Sequence, residues 1–158
     1  MAREVLEMRI KMLGSEHPWV ASALNDVAWA AAANGKQQEA EDLEKQSLAM
    51  RRRLLSAEHP DVANSLYLVG DRMRQRGNLR EAYPVLSAAL SIQRKVLGED
   101  HPSTLYTLKS LGWMFEAQKD WSQAETEFRE ALELWRKRAG NEDLETVYAL
   151  RDLGRQQV

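Results

Sequence analysis

Histidine followed by proline occurs three times, at His17-Pro18, His59-Pro60 and His101-Pro102, and the step between successive pairs is 42 residues. Rows laid at that offset need no gap. Leu24, Leu66, Leu108 and Leu150 align, as do Val27, Val69, Leu111 and Leu153, and Ala28, Gly70, Gly112 and Gly154. A strict period of this length means one supersecondary unit copied along an axis, each copy burying its apolar face only against its neighbours. Such arrays work through an extended surface rather than a catalytic cleft.

Each copy reads as a helical hairpin. Leu24, Val27, Ala28 and Ala31 recur at helical spacing on one face of a first helix, and Asn34-Gly35 ends it with residues that tolerate a left-handed backbone. The second copy stops the same way at Arg76-Gly77, whereas the third has Gln118-Lys119 and must end without glycine. Asn78 to Glu81 and Asp120 to Gln123 have capping-box form, while Lys36 to Glu39 is poorly capped. Second helices are expected to run from Ala40 to about Leu54, Ala82 to about Val96 and Ala124 to about Lys137. Gly14, Gly98 and Gly140 punctuate the loops between copies, with Ser56 in the remaining slot.

The second copy reads Leu66, Val69, Gly70, Met73, Ala82, Leu86, Ala89, and the third Leu108, Leu111, Gly112, Phe115, Ala124, Phe128, Ala131. The first gives Leu24, Val27, Ala28, Ala31, Ala40, Glu44 and Ser47, with a polar Glu44 as its departure. This order of large, small and bulky residues resembles the tetratricopeptide repeat. The longer unit, with Leu97-Gly98-Glu99-Asp100-His101-Pro102 between copies, is similar to the kinesin light chain subtype. Pro84, inside an expected second helix, also resembles that subtype, so the helix is kept through it. The resemblance implies an all-α, right-handed solenoid of about eight helices whose first helices line a concave groove. It does not imply a motor.

The chain is out of phase with its own repeats. Residues 1–14 match only the trailing helix of a preceding repeat; complete repeats follow at 15–56, 57–98 and 99–140, and 141–158 match only a first helix. Either these halves are caps or the chain is an excerpt; Tyr148, Leu150 and Leu153 keep the internal pattern, which favours the excerpt.

Composition narrows the function. With 22 Lys and Arg against 24 Asp and Glu, a net charge of −2 gives no global attraction to nucleic acid or anionic membrane. No cysteine is present, so disulfides and thiol ligands are excluded. No apolar run approaches the roughly 18 residues of a membrane span, and the charged start does not read as a signal peptide, so a cytoplasmic location is the default expectation. No phosphate-cradling glycine loop and no hydrolase or metalloprotease motif occurs, and neither cofactor nor catalysis is expected. His17, His59 and His101 sit one repeat apart, too far to share a metal, and read as helix starts with proline at the first position. The clusters Arg51-Arg52-Arg53, Arg94-Lys95 and Arg136-Lys137-Arg138 close second helices, where cations suit the helix dipole; the alternative is an RNA-binding stripe. Glu39, Glu41, Asp42 and Glu44 are expected on a solvated face.

A second stripe on the first helices carries the functional expectation. Across the copies it reads Ser22-Asn25-Trp29, Asn64-Tyr67-Asp71, Tyr106-Lys109-Trp113 and Tyr148-Arg151-Arg155, holding five of the chain's eleven aromatics. Rigid aromatics supply contact area, while Asn, Lys and Arg supply directional bonds. The resemblance implies that this stripe is a groove for a peptide or protein segment. Asp26 and Asp71 lie toward the first half and Lys109, Arg151 and Arg155 toward the second, so an acidic or carboxylate-terminal ligand should prefer the second half. The alternatives are that Trp29 and Trp113 pack between neighbouring first helices, or that the array self-associates through its ends.

Overall fold

The structure, a computed structural model, describes residues 1–140. Among them are seven α-helices: α1 (Ala2–Leu13), α2 (Pro18–Ala33), α3 (Gln37–Leu54), α4 (Pro60–Gln75), α5 (Leu79–Leu97), α6 (Pro102–Ala117) and α7 (Trp121–Ala139). The eighth expected helix lies outside the described residues. Helices α2 and α3 form hairpin 1, α4 and α5 hairpin 2, and α6 and α7 hairpin 3. Each hairpin packs on the next, and α4 also touches α6, so the first helices form the inner layer of an α-solenoid.

Each first helix begins on the same device. Proline at the first helical position has no N–H to leave unsatisfied, and the histidine before it caps the next donor. The Nδ1 atoms of His17, His59 and His101 accept from the backbone N–H of Trp19, Asp61 and Ser103 at 3.1, 3.1 and 3.2 Å. Each hairpin then turns through one residue with positive φ: Gly35 at 77°, Gly77 at 84° and Lys119 at 62°. The reversal is locked by the same bond in each copy, from Lys36 to Ala31, Asn78 to Met73 and Asp120 to Phe115, all 2.9 Å from backbone N to backbone O. The third copy thus ends its helix without glycine by holding a lysine in the left-handed region. Asp120 caps α7 through Gln123 N–H at 3.2 Å, as its capping-box form predicts, but Asn78 makes no side-chain cap, contrary to expectation. The turn bond already fixes that entry. Helix α5 continues through Pro84.

Between the two helices of a hairpin the fit is decided by one pair of positions. A Cβ added to Gly70 would stand 2.8 Å from Leu86 Cγ, and one on Gly112 would stand 2.6 Å from Phe128 Cε1. Glycine on the first helix therefore admits a bulky residue on the second, with Ala82 and Ala124 fully buried beside it. Hairpin 1 uses Ala28 and Glu44 at these places. Glu44, expected on a solvated face, is only 3% exposed, and Glu41 is also buried. The cause is in the neighbouring hairpin: Arg72 on α4 donates to both Glu44 oxygens at 2.7 and 3.2 Å, and Arg76 bonds Glu41 and Gln38. Desolvation pushes the Glu44 carboxyl above the usual carboxylate range, with Arg72 opposing; Lys45 and Arg76 hold Glu41 below it, against the desolvation of its own burial. Asp42 is exposed, and Glu39 is half-buried beside Arg3 and Lys36.

Two outcomes follow. Gly112→Ala places its methyl inside the Phe128 ring envelope and should cost about 1–3 kcal/mol, read as a lower denaturant midpoint at unchanged slope. Lys119→Gly keeps the left-handed turn and removes the Cβ that makes it costly for lysine; thermal unfolding should show a gain of roughly 0.5–1 kcal/mol.

Candidate functional site

The stripe crosses the inner layer from α2 to α6. On α2, Trp29 is 75% exposed, an indole in open solvent. Asn25 one turn earlier is half-buried, its Oδ1 turned inward without a hydrogen-bond partner among the described residues. Ser22 is drawn into the framework: its hydroxyl donates to the Pro18 carbonyl at 3.2 Å and accepts from Arg51 at 2.9 Å. Arg51 is thus not part of a surface basic patch, as its cluster suggests. It is 4% exposed and also donates to Ser65 Oγ at 2.7 Å and the Asp61 carbonyl at 3.1 Å, tying α3 to α2 and α4. That burial pulls its guanidinium below the usual arginine value.

On α4, Asn64 is exposed and Tyr67 half-buried. Burial, with the Asp71 carboxylate adding to it, pushes the Tyr67 phenol up to about 12. Asp71 accepts three bonds: from Arg74 Nε at 2.7 Å, Gln75 Nε2 at 2.6 Å and, across on α6, Ser110 Oγ at 2.9 Å. This carboxylate is therefore a joint between two first helices. On α6, Tyr106 stands edge-on to Trp135 with ring centroids 5.7 Å apart, and Trp113 stands edge-on to Phe128 at 6.5 Å. Lys109 is 5% exposed, its ammonium 5.9 Å from the Tyr106 centroid and 5.4 Å from that of Trp113. The Arg74 guanidinium lies 5.2 Å from the Trp113 centroid. Trp113 is therefore held among its neighbours, whereas Trp29 is open. Tyr148, Arg151 and Arg155 lie outside the described residues.

Arg74, Ser110 and Glu116 belong to this surface although the stripe did not include them. Arg74, Trp113, Glu116 and Ala117 line a shallow concavity of about 450 Å³. A signal was available: the register position of Arg74 carries Ala32 and Glu116 in the other copies, a change of charge in helices whose position 24, 66 and 108 is leucine in every copy. The arrangement offers aromatic faces, fixed cations and a bonded carboxylate, the parts of a recognition surface. The basic helix ends are matched locally instead. Arg53 pairs with Glu16 at 2.7 Å, Lys95 with Glu58 at 2.5 Å, and Arg138 donates to the Asp100 carbonyl at 3.4 Å.

Models of the tetratricopeptide repeat match residues 20–61 and 61–137. Among solved structures, a Podosopora anserina protein described as a kinesin light chain with nearly identical TPR-like repeats is 27% identical, with a TM-score of 0.79; the match covers 98% of this chain and 74% of that one. A variant of the same protein gives 0.81 at the same identity, covering 98% and 73%. BtubC (BKLC) from P. vanneervenii, 19% identical, matches in fold with a TM-score of 0.85, over 98% of this chain and 62% of its own. None of the curated proteins matches the chain.

The Asp71 joint gives a direct test. Asp71→Asn keeps the shape but removes the charge that Arg74 and Ser110 share, and should cost about 1–2 kcal/mol in chemical denaturation. Ser110→Ala, which deletes the bond across the helices and leaves Arg74 paired, should cost less.

Proposed function

Because the chain belongs to the tetratricopeptide repeat family, in the array type of kinesin light chain, we propose that it binds an extended peptide or protein segment along the inner layer formed by α2, α4 and α6. Tetratricopeptide repeats are in general protein–protein interaction modules, and arrays of this type are typically non-catalytic scaffolds. No helix among the described residues is long and apolar enough to cross a membrane. The observation that carries the finer reading is Trp29. A large indole 75% exposed, in line with Tyr106 and Trp113 on the layer where first helices face one another, has no packing role that accounts for it.

The ligand meets Trp29 and Asn25 first, then Asn64 and Tyr67, and then the Arg74, Lys109 and Trp113 cluster. Groups with acidic or carboxylate-terminal character are the ones proposed for that last stretch, where Arg74, paired with Asp71, and Lys109 both lie over the Trp113 ring. Arg151 and Arg155 share the register of that stripe in the sequence and lie outside the described residues. Self-association is the second reading, favoured by α1, which buries none of its residues and leaves Val5, Met8 and Met12 exposed. A molecular mass constant with concentration removes it.

Peptides selected from a random library on the parent chain provide the test. Rebound to Trp29→Ala, Arg74→Ala and Tyr106→Ala, they should weaken by about 1–3 kcal/mol each, with circular dichroism unchanged. Arg52→Ala and Lys137→Ala on the helix ends should bind as the parent does. The reverse pattern would move the site to the basic ends and to an acidic or nucleic-acid partner.

A further inference from the structure

The junctions between successive hairpins are built from different materials. Where hairpin 2 meets hairpin 3, the apolar side chains of Ala82, Leu86 and Leu90 on α5 run without a break into Leu105, Leu108, Leu111 and Met114 on α6, and on to Leu132 and Trp135 of α7. Tyr67 and Met73 of α4 lie against the same cluster, so hairpins 2 and 3 share one core. Where hairpin 1 meets hairpin 2, the corresponding space holds Glu44 against Arg72, with Gln37 also bonded to Arg72 at 3.1 Å, and Glu41 and Gln38 against Arg76. Further along, Arg51 bonds Ser65 and the Asp61 carbonyl. Apolar continuity across this junction is carried by Leu48, with Leu55 beside it, against the cluster of Val62 and Leu66. Hairpin 1 itself is filled by two small groups, Val20, Ala21, Leu24 and Met50 in one and Ala28, Ala31 and Ala40 in the other, which stay within α1 to α3.

Ion pairs withdrawn from water contribute little net free energy, because desolvation offsets their attraction, whereas apolar burial is cumulative. Of the two junctions between complete hairpins, the α3–α4 junction is therefore the one that separates more easily, and the residues on either side are held together by their own cores. We propose that α1, α2 and α3 open as one cooperative unit from hairpins 2 and 3, hinging at the Glu44–Arg72 and Glu41–Arg76 junction. Trp29 lies on the moving unit and Trp113 on the fixed one. Resting on the groove reading above, this makes the spacing between the two aromatic ends of the groove adjustable; the opening itself does not depend on that reading.

Hydrogen exchange of the parent chain tests it, read by mass spectrometry under conditions where opening is at equilibrium. Amides of α2 and α3 should exchange about tenfold faster or more, relative to their intrinsic rates, than those of α5, α6 and α7. Arg72→Met strands the Glu44 carboxylate and should speed α2 and α3 by a further factor of about ten while leaving α6 and α7 unchanged. Replacing the junction with the residues that hairpins 2 and 3 use, Ala28→Gly with Glu44→Leu and Arg72→Met, should bring the two classes together. A single protection level from α2 to α7 in the parent, or an Arg72→Met effect spread equally over all helices, overturns the hinge. The parent measurement decides even if the triple variant does not fold. Addition of a selected peptide separates the two readings: selective slowing of α2 and α3 supports both, and a split that no peptide alters keeps the hinge and removes its link to the groove.

Discussion

The close approach of two helices within a hairpin sets the terms for everything built on it. In hairpins 2 and 3 that approach exists because Gly70 and Gly112 lack a side chain where Leu86 and Phe128 press in. The distances leave no room for a methyl, so the first helix is drawn onto the second and a single-residue reversal must follow within a few positions. The positive φ at residues 35, 77 and 119 answers that geometric demand. With the hairpin closed, the remaining face of each first helix is free to turn inward, and a surface of stacked first helices results.

Hairpin 1 reaches the same shape by another route. Ala28 occupies the glycine position, and the bulky partner is replaced by a flexible carboxylate that finds its counter-ion one hairpin away. The position that joins the apolar core in copies 2 and 3 instead makes an ion pair with the neighbouring hairpin in copy 1. The slot of Arg51 shows the same latitude. Gln93 stands there in the next copy, accepting from Thr107 at 2.7 Å, and Trp135 in the third, against Tyr106. Backbone shape is repeated, while the means of filling it is not.

The repeat, its hairpins and its helix starts were legible in the sequence because they rest on short-range rules: proline at a first position, glycine or asparagine at a turn, apolar residues at helical spacing. The buried positions of Leu24, Leu66 and Leu108 followed from the same spacing. What escaped was long-range. Glu41 and Glu44 read as a wet face because nothing in their own helix announces Arg72 and Arg76, about 30 residues on. Arg51 read as one of three helix-end cations because the serines that bury it lie in two other helices. The stripe of aromatics was visible, but the bonding of Asp71 to Ser110, and the stacking of Arg74 on Trp113, depend on the spacing between helices, which a single strand of letters does not contain.

The mismatched fillings have a consequence for exchangeability. Three units of equal length and equal backbone invite the idea that they could be shuffled, duplicated or deleted at will. Placed after hairpin 3, hairpin 2 would set Arg72 against Phe128 in place of the Glu44 carboxylate; placed before hairpin 3, hairpin 1 would press Glu44 on Met114. Each unit carries on its flank a record of the neighbour it fits, so the array has a grammar, and its words can be read in one order only.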